Sequence, residues 1–270
     1  MYSSTSPAAP WWIEVTAPAL RVVEANARFY RRTWRGSVIS TFAVPFFTLL
    51  AMGGGLGRLV DQGAGTGRGA YLGFVAPALL AATAMMTAAG EATYPVVAGI
   101  RWTKGYHAAI ATPIRPSDLV YGLIGFLGVR LLFNLGVYAG IMILLGAMEP
   151  GPALLAVIPS VLTGIAFAAP IAAWTCQLDD DRALSSFFRF GIIPLFLFSG
   201  TFFPVDQLPG FLQPFIFISP LWHGIELARG VAGVPESPHF AWWIHALVLI
   251  ALAVSGLILA SRNFTKRLHT

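Results

Sequence analysis

Charge is the scarcest commodity in this 270-residue chain: 11% of its residues are Asp, Glu, Lys or Arg, against about 25% in an ordinary soluble domain. That shortage excludes a disordered chain and a basic nucleic-acid-binding domain, so no nucleic-acid partner is expected. Cysteine is nearly absent. Cys176 stands alone, so no intramolecular disulfide, thiol metal site or redox pair can be assembled within one chain. His107, His223, His239, His245 and His269 are scattered, and no HExxH or paired acidic motif sets metal ligands on one helical face. No metal site and no catalytic residue are expected. The run GAGTGRG over 63–69 lacks the Lys-Ser/Thr of a phosphate loop and follows no strand pattern, so it reads as a flexible outer loop. Met1 to Pro10 shows no basic start leading into an apolar core, so no cleaved signal is expected.

What the chain has in abundance is apolar sequence. Residues of the AVILMFWYC set make up 56% of it, and the mean hydropathy is +0.71. Six segments approach the roughly 20 helical residues needed to cross a hydrocarbon core of about 30 Å: 36–57, 71–96, 119–146, 153–174, 187–203 and 241–261. The fifth is short and runs into Pro204. The Pro-rich stretch from Val205 to Pro220 is too broken to span and reads as a re-entrant or outer-face helical hairpin. Without period-2 alternation a barrel is excluded, so the expectation is an all-α integral membrane protein with six spans.

Of 17 Lys and Arg residues, those before the first span, between spans two and three, between four and five, and in the tail fall on one side. Only Arg58, Arg68 and Arg229 fall on the other, and Arg130 lies within a span. Both termini are therefore expected to be cytoplasmic in a multi-pass protein of the inner, or plasma, membrane. Trp242 and Trp243 suit an outer aromatic belt. Arg21, Arg28, Arg32 and Arg35 recur at helical spacing among Val22, Val23, Phe29, Tyr30 and Trp34, which predicts an amphipathic interfacial helix starting near Pro18. A solvated basic leader is the plain alternative. The organisation reads as a cytoplasmic N-terminus over 1–35, a six-span domain over 36–262 and a cytoplasmic tail over 263–270; Asn263-Phe264-Thr265 matches a glycosylation acceptor but would go unread there.

Polar residues are few enough to weigh singly. Arg130 near the middle of span three, with Asn134 one turn on, should face the protein interior. Glu91 is a candidate partner, and the set is either a structural ion pair or part of a translocation path. Asp179, Asp180, Asp181 and Arg182 form an acidic connection, either solvated or aimed at a partner's basic residues. Glu226 and Arg229, three residues apart, are placed to pair on a helix. Together with Phe202, Phe203, Phe211, Phe215 and Phe217 they form a possible outer gate, although aromatics in this number also serve as core or lipid-facing residues. Trp102, Tyr106 and Ile110 follow i, i+4, i+8 and make an exposed stripe that needs a partner, unless it packs on its own bundle.

Two blocks carry a resemblance. Glu91-Ala-Thr-Tyr94 followed by KGYHAAIATPIRPSDLVYG from Lys104, and FLFSGTFFPVDQLP from Phe196 followed by SPLWHGIELAR from Ser219, occur in order. They are similar to the coupling region and the span-five and outer-helix signature of ABC-2 type exporter permeases, closest to the NodJ, or lipo-oligosaccharide exporter, type. The resemblance covers about residues 20–262. It implies a permease that is not itself an enzyme and carries no cofactor, with ATP and Mg on a partner ATPase subunit. It also implies a second permease copy or paralogue, and a lipid-linked or amphipathic cargo such as a lipo-oligosaccharide or glycolipid. Arg101, Trp102, Lys104, Tyr106, His107 and Ile110 would then belong to a coupling helix that docks on the ATPase. Hydrophobic drugs are the rival cargo within the family. A secondary transporter would call for inverted repeats and midplane ionisable groups, and a membrane enzyme for converging acids, histidines or a nucleophile.

Overall fold

The computed structural model describes residues 11–64, 69–234 and 240–269, and every regular element among them is helical. α1 (Trp11–Leu50) passes through a π-helical stretch, Ala51–Leu56, into α2 (Gly57–Ala64). α3 (Ala70–Ala92) leads to α4 (Tyr94–Val97), a second π stretch over Ala98–Trp102, and α5 (Gly105–Ile110). The long α6 (Pro116–Leu144) and α7 (Pro150–Thr175) follow. Next come α8 (Arg182–Phe187), a π stretch Phe188–Ile192 and α9 (Ile193–Phe198). A 3-10 turn at Val205–Gln207 precedes α10 (Gln213–Phe217), α11 (Pro220–Ala232) and α12 (Trp242–His269).

Proline and glycine punctuate these elements as their backbone chemistry requires. Pro116, Pro150 and Pro220 each open a helix at the first turn, where a missing amide costs nothing. At α6 the Asp118 carboxylate also accepts the Arg115 amide at 2.9 Å. α11 stops at Gly233, whose φ of +70° is the usual helix-ending conformation.

Among the described residues, five stretches are long and apolar enough to cross a membrane: Thr41–Gly63, Ala70–Trp102, Pro116–Leu144, Pro150–Thr175 and Trp242–His269. The fifth expected span, 187–203, is not among them. Its helical part is the end of a run of α8, the π stretch and α9 over 182–198, which stops at Ser199 because Gly200 turns the chain with φ +84° and Pro204 prevents the helix from resuming. Nor does the chain break at 35/36. The basic N-terminal segment and the first span form one helix, and Pro18 lies inside it rather than at its start. The ring removes one amide from the ladder without ending the helix. Residues 1–10, the side chains over 11–17 and 32–40, and most of the glycine-rich loop lie outside the described residues; the tail expected over 263–270 is a continuation of α12 through His269.

α7 is the hub, packed by α3, α6, α11 and α12, while α1 lies along α6. Small residues allow the close approaches. A Cβ on Gly256 of α12 would lie 2.6 Å from the Pro170 backbone nitrogen of α7. One on Gly224 of α11 would collide with Thr163 of α7, and one on Gly122 of α6 would meet Val22 of α1 at 2.5 Å. Close backbone packing of this kind substitutes for a hydrophobic drive that lipid does not supply. The outward faces are apolar, with Phe42, Phe46 and Phe47 on α1 and Leu247, Ile250 and Val254 on α12 all exposed. Trp242 and Trp243 are exposed at the start of α12.

Candidate functional site

The two charges expected to meet inside the bundle do meet. The Arg130 guanidinium, at the middle of α6, pairs through Nη1 with the Glu91 carboxylate near the end of α3. The same guanidinium lies over the Tyr30 ring of α1, 4.8 Å from its centroid, and Tyr30 stands edge-on to Phe126 at 6.2 Å. Three helices are thus tied at one node by a charge that lipid would otherwise expel. Beside it lies a cavity of about 470 Å³ between α1, α3, α6 and α9. Leu79, Thr83, Met86, Thr87, Gly90 and Glu91 line it from one face of α3, and Arg130, Asn134 and Tyr138 line it at i, i+4, i+8 of α6.

At the end of the bundle that carries most of the basic residues, the expected aromatic stripe is divided. Lys104 adopts φ +51° and separates the π stretch ending at Trp102 from α5. Trp102 is 59% exposed, whereas Tyr106 turns inward. Its ring packs on Phe264 of α12 at 5.7 Å and fills the space a Cβ on Gly99 would need, 2.7 Å away; burial pushes its hydroxyl up to about 12. Ile110 also packs against the core. Arg101, Lys104 and His107 remain exposed and, with Ile100, Asp179 and Arg267, line a cleft of about 460 Å³. One oxygen of Asp179 accepts from Arg101 and, at 2.7 Å, from Arg267. Those guanidiniums, Arg267 first, hold the Asp179 carboxyl below the usual carboxylate range. The acidic connection therefore joins the α3–α6 connection to the end of α12.

At the opposite end the proposed gate residues separate into four groups. Phe202 and Phe203 line an apolar cavity of about 520 Å³ with Leu56, Val60, Tyr71 and Phe74. Tyr71 donates its hydroxyl to the Phe202 carbonyl at 3.2 Å. Phe211, in the turn before α10, and Phe215, within it, are 72% and 71% exposed and do not line that cavity; Phe217 packs on Trp222 at 4.9 Å. Glu226 and Arg229 pair, at 3.7 Å, inside the protein. Arg229 is 2% exposed and donates to the Gly200 and Phe74 carbonyls at 2.7 and 3.3 Å. Its guanidinium sits 3.7 Å above the Phe74 ring.

Two histidines that sequence spacing left apart come together here. His223 of α11 and His245 of α12 are both buried, with their Nδ1 atoms 2.9 Å apart beside Trp222. One ring must donate and the other accept. Burial first, and the His245 charge second, bring the His223 imidazole down to about 4. The unfolded chain takes up a proton near pH 6.5 that the folded chain refuses until about pH 4, so stability is full above that window and is lost as pH falls through it. The melting midpoint of purified protein is expected to drop between about pH 7 and pH 5, and His223→Gln to flatten that dependence. A wild-type midpoint that does not change over this range would contradict the pairing.

A family model described as ABC-2 type transporter matches residues 22–232. The chain is 27% identical over 273 residues to Nodulation protein J of Sinorhizobium fredii (strain NBRC 101917 / NGR234), covering 99% of this chain and 98% of that protein. It is likewise 27% identical over 272 residues to Nodulation protein J of Rhizobium meliloti (strain 1021), with 99% and 98% covered. The Rhizobium leguminosarum bv. viciae protein of the same name is 28% identical over 78% of this chain and 80% of its own length.

Proposed function

Because the chain belongs to the ABC-2 type transporter family, we propose that it is the permease subunit of an ATP-driven exporter. In this reading it moves a lipid-linked or amphipathic molecule, a lipo-oligosaccharide or glycolipid, from the inner side outward by alternating access. The observation that carries the reading is the rim of Arg101, Trp102, Lys104 and His107, exposed on a segment that Tyr106 and Ile110 seat against α12 and the core. A rigid, cationic and aromatic rim is what a separate ATPase subunit can grip, and seating it on the bundle lets a push there move whole helices. ATP and Mg belong to that subunit, and the pore is completed by a second copy or a paralogue.

On this reading both termini are cytoplasmic in the inner membrane, and the basic face of α1 that includes Arg21 and Arg28 lies at the inner leaflet surface. α8 and α9 act as the fifth, shorter crossing, and 205–220 forms the re-entrant outer hairpin. The apolar lining of the outer cavity favours hydrophobic drugs as the second cargo class.

Purifying tagged protein from its native membrane in mild detergent tests the proposal. A stoichiometric ATPase is expected to copurify and hydrolyse ATP, and Trp102→Ala together with Lys104→Glu is expected to release it without disturbing the fold. Intact, monodisperse protein that reproducibly lacks an ATPase would overturn the reading.

A further inference from the structure

We propose that the cavity between α1, α3 and α6 is a binding site for the uncharged, hydroxyl-bearing head group of an amphiphile, and that it discriminates against phosphorylated or cationic heads. The ligand's onward transport rests on the exporter reading; its binding does not.

Charge is the first argument. Glu91 and Arg130 are the only ionic residues among the described lining, and each neutralises the other. A cavity with no formal net charge offers an incoming anion or cation no counterion for the solvation it gives up. Hydrogen-bonding chemistry is the second. Thr41, Thr48, Thr83 and Thr87 line the cavity, and each hydroxyl is both donor and acceptor. Arg130 Nε and Asn134 Oδ1, one helical turn apart, are buried with no partner among the described residues.

Arg130 engages Glu91 through a terminal nitrogen, which leaves its Nε–H for a ligand. Asn134 can turn its carbonyl toward the cavity without breaking a bond. A hydroxyl accepts from the first group and donates to the second. A phosphate brings acceptors and leaves the Asn134 carbonyl unmet; an ammonium brings donors and leaves Nε–H unmet.

Shape is the third argument. The cavity extends along α3 from Glu91 to Leu79, about 18 Å at 1.5 Å per residue. It is polar where Glu91, Arg130 and Asn134 lie and apolar toward Leu79 and Phe196. Its volume of about 470 Å³ falls in the usual range for small-molecule sites. A head group fits the charged end while the start of an alkyl chain follows the apolar end.

The test uses the purified full chain in phosphatidylcholine nanodiscs and a photoreactive alkyl glucoside, with labelled peptides identified by mass spectrometry. Labelling is expected within 79–91 and 130–138. Octyl glucoside is expected to displace the probe about tenfold more effectively than octyl phosphate or octylammonium, since each charged head leaves one buried group unpaired. Thr83→Val with Thr87→Val should weaken labelling, and Asn134→Leu should erase the preference for the glucoside over the phosphate. Equal or better competition by octyl phosphate would overturn the proposal, as would labelling spread over outward residues such as Phe46 and Leu247. If a variant fails to fold, the wild-type competition decides alone. ATPase copurification is scored separately, so loss of the site and loss of the exporter reading are distinguishable.

Discussion

Arg229→Leu is expected to destabilise the protein by about 3–5 kcal/mol, the range for removing one partner of a buried ion pair. The substitution strips donors from the Gly200 and Phe74 carbonyls, leaves Glu226 without its cationic neighbour, and removes the cation above the Phe74 ring. Gly200 is where the chain turns after α9, and Phe74 belongs to α3. Arg229 therefore joins α11, α3 and the end of the α8–α9 run in one clasp. Lysine cannot replace it, because a single ammonium cannot bond two carbonyls in a plane while lying flat on a ring. Arg229→Lys is thus expected to lose most of the same stability, whereas Arg229→Met with Glu226→Gln should recover part of it by removing both charges. Thermal melting in detergent reads the series, with a shift on the order of 10 °C for Arg229→Leu. An unchanged midpoint would show that the clasp contributes nothing.

How far such arrangements can be read from sequence depends on the range of the interaction. The long apolar runs announce most of the spans, because lipid forces each backbone to satisfy itself within its own helix. The Glu91–Arg130 node is legible for a similar reason: a midplane charge has few places to go, and only a handful of acids exist to meet it. Hydropathy does not see that Gly200 takes a positive φ, so the helix in the expected fifth span stops at Phe198 although the apolar run continues to Phe203. The stripe from Trp102 to Ile110 fails differently. Its period is helical, but Lys104 in a left-handed conformation resets the phase, so Tyr106 faces Phe264 while Trp102 faces out.

Pairings between distant elements leave little trace. His223 and His245 are 22 residues apart and sit on helices whose contact follows from packing on α7. Asp179 reads as one of three adjacent acids, and nothing in that run singles it out as the residue that Arg101 and Arg267 share. A signal existed for the histidines: two imidazoles in mostly apolar surroundings each need a polar partner, and few alternatives are nearby.

Charge exchange at positions 91 and 130 is the sharpest test of the central node. Arg130→Glu sets two carboxylates face to face, and Glu91→Arg sets two guanidiniums together. In a setting where an unpaired ion costs several kcal/mol, either single change is expected to abolish stable, monodisperse protein. The exchange Glu91→Arg with Arg130→Glu restores opposite charges and should restore folding. Recovery is expected to be incomplete, because the guanidinium then starts from α3 and leaves the ring of Tyr30, and a cation over an aromatic face contributes about 0.5–2 kcal/mol. Tyr30→Leu should therefore destabilise the wild type and have little further effect on the exchanged protein. Size-exclusion profiles and melting midpoints of the four proteins, with and without Tyr30→Leu, measure the coupling directly. Single reversals as stable as the wild type would show that water or lipid head groups screen the pair. An exchange that fails to fold would show that the packing around each side chain, rather than the complementarity of their charges, holds α1, α3 and α6 together.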